Sequence, residues 1–254
     1  MPETFLILLA GGIMLAAAIS DPKQVTLRWL RLAGIIALVM VGLGLFFLMR
    51  RSDLQHAIRN DLGFRTGAVA VAILAQLAFV QVAWRRTGRA WALIAFGSSL
   101  AVASMMLAGS MPSQIARPLL RVLGCAGVSA MTGLVLMDML LGHAYLTASQ
   151  MTMAPFVRLN RAVAITLAIR ALLGILVLLL NRPDRMFWNL HAVYLGTRWL
   201  VGIIVPGIFI WMAHDCIKRR ATQSATGILY VAGVLIFIGE IIGLYLLSQT
   251  GLPL

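Results

Sequence analysis

Four ionisable side chains lie inside long apolar stretches of this sequence, where a charge is costly. They are Asp138, Arg170, Arg198 and Glu240. Charged residues within membrane-spanning helices usually face the interior of a helix bundle, pair with one another and mark ion or proton pathways. These four residues are therefore candidates both for ion pairs that hold helices together and for groups that bind a ligand or exchange protons.

The depth of each charge along its apolar run predicts which charges meet. Asp138 lies ~8 Å from the end of its run, and Arg170 lies ~12 Å from the beginning of the next run, on the same side. Arg198 and Glu240 each lie ~10 Å from the other side. We therefore predict two buried ion pairs, Asp138–Arg170 and Arg198–Glu240. A clamp between helices and a proton route are both open interpretations of these pairs.

Histidines at the ends of apolar runs offer a second kind of chemistry. His143 and His214 fall on the same predicted side, His214 is followed by Asp215, and His191 falls on the other side. A neutral imidazole can ligate haem iron, or exchange a proton with a quinol near neutral pH. One haem b held by His143 and His214 is the less favoured alternative, and an interfacial histidine that makes a hydrogen bond is the plainer one.

Site roles follow from these residue types. The predicted proton acceptors are His143, Asp138 and Glu240. The predicted ligand-binding residues are Arg170, Arg198, His214 and Asp215. The two cysteines, Cys125 and Cys216, stand alone in the sequence, so we predict no protein-bound iron–sulfur cluster, zinc site or disulfide framework.

The composition identifies the class of protein that must position these side chains. Apolar residues make up 61% of the 254 residues and charged residues 11%, with a mean hydropathy of +0.95. Soluble domains, disordered chains and disulfide scaffolds are excluded by these values. The formal net charge of +13 resides mostly in short connections, which favours contact with anionic headgroups of the lipid bilayer over binding to nucleic acid.

The hydropathy pattern predicts an all-α fold, a polytopic transmembrane helix bundle that forms one integral membrane domain over residues 1–254. A helix needs about 20 mostly apolar residues to cross the hydrocarbon core, and the sequence contains eight such runs. The predicted spans are 4–20, 30–49, 67–84, 90–108, 119–143, 162–180, 192–213 and 226–247.

The distribution of Lys and Arg predicts the orientation of these spans. The odd-numbered connections carry 11 of these residues and the even-numbered ones carry 8. By the positive-inside rule the odd connections face the cytoplasm, and both termini face outward from a bacterial-type inner membrane.

The last predicted span contains a short motif in which Gly239 and Glu240 are followed by Gly243 and by Tyr245-Leu246. The Gly239-x-x-x-Gly243 spacing predicts the close approach of a neighbouring helix. The motif resembles the end of the polytopic anchor subunits of DMSO-reductase and polysulfide-reductase type complexes, with Leu244 where that family has arginine. The resemblance implies a quinone-binding subunit that itself carries no cluster and passes electrons to a partner.

We therefore expect a membrane subunit of a respiratory-type electron-transfer complex, with a quinone pocket and proton route among predicted spans 5 to 8. The expected ligand is a quinone, and the expected partners are redox subunits that carry haem or iron–sulfur clusters. At most, the chain would be the quinone-site or a non-catalytic subunit of an oxidoreductase. Two alternatives stay open: a transporter for a small solute or lipid, and a structural or assembly subunit without chemistry of its own.

Overall fold

The protein is described by a computed structural model over residues 1–21, 23–50, 88–111, 117–147, 152–181 and 185–254. Within these ranges every regular element is helical. The helices are α1 Pro2–Ile19, α2 Leu27–Met49, α3 Arg89–Ser110, α4 Pro118–Thr147, α5 Ala154–Asn181, α6 Arg185–Trp199, α7 Val205–Lys218 and α8 Thr222–Thr250. A π-helical segment, Leu200–Ile204, joins α6 to α7 without a break.

Seven helical stretches of the described residues are long and apolar enough to cross a membrane. They are α1 to α5, the continuous rod of α6 and α7, and α8. These stretches confirm the all-α, multi-pass character of the chain and coincide with seven of the predicted spans. The remaining predicted span, 67–84, lies outside the described residues.

Helix α1 is the most buried of these stretches, because small residues let its neighbours approach its backbone. A Cβ built on Gly12 would lie 1.8 Å from the carbonyl oxygen of Ser129 in α4. One built on Gly11 would lie 2.8 Å from Cβ of Ser99 in α3. The hydroxyl of Ser129 donates to the carbonyl of Leu8 at 2.6 Å, which gives this buried hydroxyl a hydrogen-bond partner within the helix contact.

The helices form one bundle around α1 and α4. Helix α1 packs against α2, α3 and α4, while α4 also packs against α5 and α8. Helix α8 in turn contacts α6, the π-helical segment and α7, and α5 contacts α7. The end of the bundle where α1 begins and α8 ends is called the terminal face here, and the end where α1 ends and α8 begins is the opposite face.

Two helices extend beyond their predicted spans at the opposite face. Helix α4 continues to Thr147 and α5 already begins at Ala154, whereas the apolar runs predicted an end at residue 143 and a beginning at residue 162. Most of the predicted connection is therefore helical. This difference shifts the depth of every side chain on α5 and decides which polar groups meet.

Candidate functional site

A cluster of three charges lies in the core between α5, α6 and α8. Glu240 accepts hydrogen bonds from both neighbouring arginines: Oε2 lies 2.8 Å from Nη2 of Arg170, and Oε1 lies 2.9 Å from Nη2 of Arg198. Nε of Arg170 also donates to Oε1 at 3.4 Å. The exposure of these three side chains is 0–2%, so the cluster is a buried group with one carboxylate and two guanidinium groups.

The predicted pair Arg198–Glu240 is confirmed, whereas the predicted pair Asp138–Arg170 is wrong. Because α5 begins earlier than expected, Arg170 lies ~24 Å from the beginning of its helix. Asp138 lies only ~14 Å from the end of α4. Arg170 therefore reaches the level of Glu240, and Asp138 stays nearer to the opposite face.

Glycines on three elements make room for the two guanidinium groups. A Cβ on Gly127 of α4 would lie 2.5 Å from Cδ of Arg170, and one on Gly202 would lie 2.7 Å from Nη1 of Arg198. Gly239 of α8 lies against Gly202, and Gly243 lies beside Nε of Arg198. The close approach that the Gly239–Gly243 spacing predicts is confirmed, and the surface that approaches is the π-helical segment.

The residues after α8 fold back into the bundle beside this cluster. Gly251 ends the helix in the left-handed conformation, with φ 71°, and Leu252, Pro253 and Leu254 that follow are buried. Nε of Arg198 donates to the carbonyl oxygen of Leu254 at 3.3 Å. The arginine thus satisfies non-helical backbone at membrane depth, which would otherwise carry a desolvation cost. This contact was not predicted from the sequence, in which Gly251 and Pro253 after the helix are its local signal.

A second polar group, a hydrogen-bonded chain of three side chains, joins α4, α5 and α7. Nδ2 of Asn160 donates to Oδ2 of Asp138 at 3.0 Å. Oδ1 of the same amide lies 3.1 Å from Nδ1 of His214. Asp138 and Asn160 are fully buried, while His214 is half-buried. The chain therefore runs from the side of the bundle into its core.

Asn160 was not among the predicted site residues. The prediction rested on ionisable side chains within the apolar runs, and Asn160 precedes the predicted beginning of its span. The signal in the sequence is an amide two residues before the predicted span begins. A buried amide needs partners for both its donor and its acceptor.

An apolar groove on the side of the bundle leads to this chain. The groove has a volume of about 920 Å³ and lies between α5 and the rod of α6 and α7. Its apolar walls include Leu167 and Ala168 of α5, Ile204 of the π-helical segment, and Trp211 of α7. Its polar lining residues are Arg161 and His214, both near the opposite face. This surface is called the α5–α7 groove below.

The other predicted site residues lie elsewhere. His143 is exposed and lines a separate cavity of about 500 Å³ beside Thr26 and Arg28 at the beginning of α2. Asp215 forms a surface ion pair with Arg219 at 2.9 Å. His143 and His214 thus border different cavities, and Glu240 belongs to the charge cluster.

Metal-ligating side chains do not gather in the parts of the chain that the structure describes: no three His, Cys, Asp or Glu residues come close enough to hold an ion. Comparison of the chain with protein-family models, with curated proteins and with solved structures found no match.

Proposed function

We propose that this chain is an integral membrane subunit of an electron-transfer complex and that it binds a quinone or quinol in the α5–α7 groove. One observation carries the proposal: His214, which borders an apolar groove on the side of the bundle, is hydrogen-bonded through Asn160 to the buried Asp138. A membrane quinone combines a long apolar tail with a polar ring. The groove likewise has apolar walls and a polar end that contains Arg161 and His214.

The groove and its ends match these two parts of the ligand. The walls formed by Leu167, Ala168, Ile204 and Trp211 are suited to an isoprenoid tail that enters from the lipid. The ring would lie beside His214 and Arg161, near the depth of the lipid headgroups. Such sites are typically apolar with a few polar groups that fix the orientation of the ligand.

The chemistry that the chain itself supplies is proton transfer. Oxidation of a quinol to a quinone releases two protons and two electrons. The imidazole of His214 accepts the proton of the ring hydroxyl bonded to it, as a general base, and the second proton passes to solvent. Haem or iron–sulfur centres of a partner subunit would accept the two electrons, one at a time.

The role of Glu240 differs from that of the residues in the groove. Its carboxylate already accepts from two arginines, so it serves to hold α5, α6 and α8 together. His143, which borders the other cavity, has no part in this site. Of the three predicted proton acceptors, Asp138 alone is connected to the groove, and His214 takes the place of the other two.

Native purification tests the proposal. The protein is isolated with whatever copurifies, its bound lipids are extracted and measured for quinone, and a reduced-minus-oxidised spectrum is recorded. Ala168→Phe fills the groove and should remove most of the bound quinone. Ile169→Phe, at a lipid-exposed position of the same helix outside the groove, is the matched control and should retain it.

The other outcomes contradict the proposal. Equal loss of quinone in both variants would exclude the groove as the binding site. A colourless, quinone-free and partnerless preparation would overturn the electron-transfer function, and uptake of a solute by liposomes that contain this protein would then support a transporter. Redox activity of a copurified complex that survives every groove variant would indicate a structural subunit.

A further inference from the structure

The amide of Asn160 has its two ends fixed by different partners. Nδ2 donates to Oδ2 of Asp138, which orients the nitrogen of the amide toward α4. Oδ1 then faces His214. An amide oxygen only accepts hydrogen bonds, so the imidazole nitrogen opposite it, Nδ1, must carry a hydrogen and donate.

We infer that Asn160 is a positioning residue that fixes the tautomer of His214 and leaves the Nε2 lone pair available to a ligand in the α5–α7 groove. In a neutral imidazole only one ring nitrogen carries a hydrogen, and the hydrogen bond of one nitrogen sets the state of the other. Since Nδ1 donates to Asn160, Nε2 is the acceptor.

This inference rests on the proposed function and specifies the hydrogen-bonding character of its site. A ligand bound at Nε2 must present a donor, such as a ring hydroxyl, because a carbonyl would meet a lone pair. The site is therefore set to bind the hydroxyl-bearing, reduced form of the ligand and to take its proton. Asp138 acts one step further away, since it holds the amide of Asn160 in the orientation that this arrangement needs.

Nitrogen-15 NMR of histidine tests the inference on the full-length protein in lipid nanodiscs. The chain has only 4 histidines, and the His214 signals are identified by their loss in His214→Gln. We expect the wild-type His214 ring, without any added ligand, to be the neutral tautomer with hydrogen on Nδ1. Asn160→Leu removes the acceptor, and its ring should populate both tautomers.

Two further variants separate positioning from packing. Asn160→Asp keeps an acceptor oxygen opposite Nδ1, so Nδ1 should keep its hydrogen, while the two facing carboxyl groups share one proton. Asn181→Leu removes the other asparagine of α5, whose amide donates to the carbonyl of Val177, and should leave the His214 signals unchanged. A His214 ring with hydrogen on Nε2 in the wild type, or an unchanged tautomer in Asn160→Leu, would overturn the inference.

Ligand binding then separates this inference from the proposed function. A short-chain hydroquinone should bind the wild type more tightly than the matching quinone, and Asn160→Leu should reduce its affinity by about 3- to 10-fold, as expected for one hydrogen bond. Equal binding of both forms to the wild type would contradict the inference but would not contradict the quinone site. Failure of both forms to bind, with the expected tautomer present, would instead contradict the proposed function.

Discussion

Gly202 of the π-helical segment and Gly239 of α8 lie backbone against backbone, so closely that a Cβ on Gly239 would be 2.3 Å from Cα of Gly202. The guanidinium of Arg198 packs over the same contact, with Nη1 3.1 Å from that Cβ position. The absence of side chains at two positions thus brings α8 close enough for Glu240 to reach both arginines.

The first prediction concerns this contact. Gly239→Ala should destabilise the protein by about 1–3 kcal/mol, because the added methyl group forces two helices apart. The loss is measured as a lower midpoint of unfolding in a detergent titration. Gly227→Ala, at a glycine of α8 whose Cβ would meet nothing within 4 Å, is the control and should be neutral or slightly stabilising. Equal midpoints for the two variants would show that the contact is looser than described.

The charge cluster predicts a specific order of stability among its variants. Glu240→Gln leaves two buried guanidinium groups without a carboxylate and should cost about 3–5 kcal/mol. Arg170→Met leaves the pair of Arg198 and Glu240 intact and should cost less. The midpoint of unfolding measures both.

Asp215→Asn breaks a surface pair whose side chains are 50–75% exposed and serves as the control, with a change of less than about 1 kcal/mol. A Glu240→Gln variant as stable as this control would mean that the cluster contributes little to holding the bundle together.

Removal of the carboxyl partner of Asn160 gives a third prediction. Asp138→Leu leaves the amide nitrogen of Asn160 buried without an acceptor, which should cost about 1–3 kcal/mol. Asp138→Asn keeps an oxygen that can accept from Nδ2 and should cost less. Both are compared by the unfolding midpoint, and the reverse order would indicate that Asn160 finds another partner.

The segment after α8 can be tested through its glycine. Gly251→Val places a β-branched residue at φ 71° and should cost about 1–2 kcal/mol, whereas Gly251→Asn, which tolerates this conformation, should cost less. Displacement of the segment should also expose Cys125, since Pro253 packs against the neighbouring Gly124.

Maleimide labelling in a Cys216→Ser background measures that exposure. Cys125 is fully buried, so the wild-type background should label slowly, Gly251→Val faster, and Gly251→Asn at nearly the wild-type rate. Equal rates for all three would show that the segment does not cover this part of the core.

The multi-pass helical character and the pair of Arg198 with Glu240 could be predicted from the sequence. Helical rise alone places these two residues at similar depth on adjacent, antiparallel spans, and the end of each relevant run is well marked. The Gly239–Gly243 spacing also predicted a close helix contact without knowledge of the partner.

The partner of Arg170 could not be predicted in the same way. The beginning of an apolar run marks where the lipid begins, but a helix can start earlier with polar residues. Helix α5 starts at Ala154, and its first turns contain Arg158, Asn160 and Arg161. Depth measured from the first apolar residue was therefore too small by about two turns. The same error hid Asn160, the residue that Asp138 contacts.

The π-helical segment has a geometric consequence for the two polar groups that it separates. Arg198 precedes Leu200–Ile204 on the rod and His214 follows it. A π-helical turn holds one residue more than an α-helical turn, and each residue of a helix corresponds to about 100° of rotation. The segment therefore sets the angular phase between the halves of the rod, so that Arg198 points at α8 while His214 points at α5. Deletion of a single residue after Gly202 would leave the charge cluster in register and turn the imidazole of His214 away from the amide of Asn160.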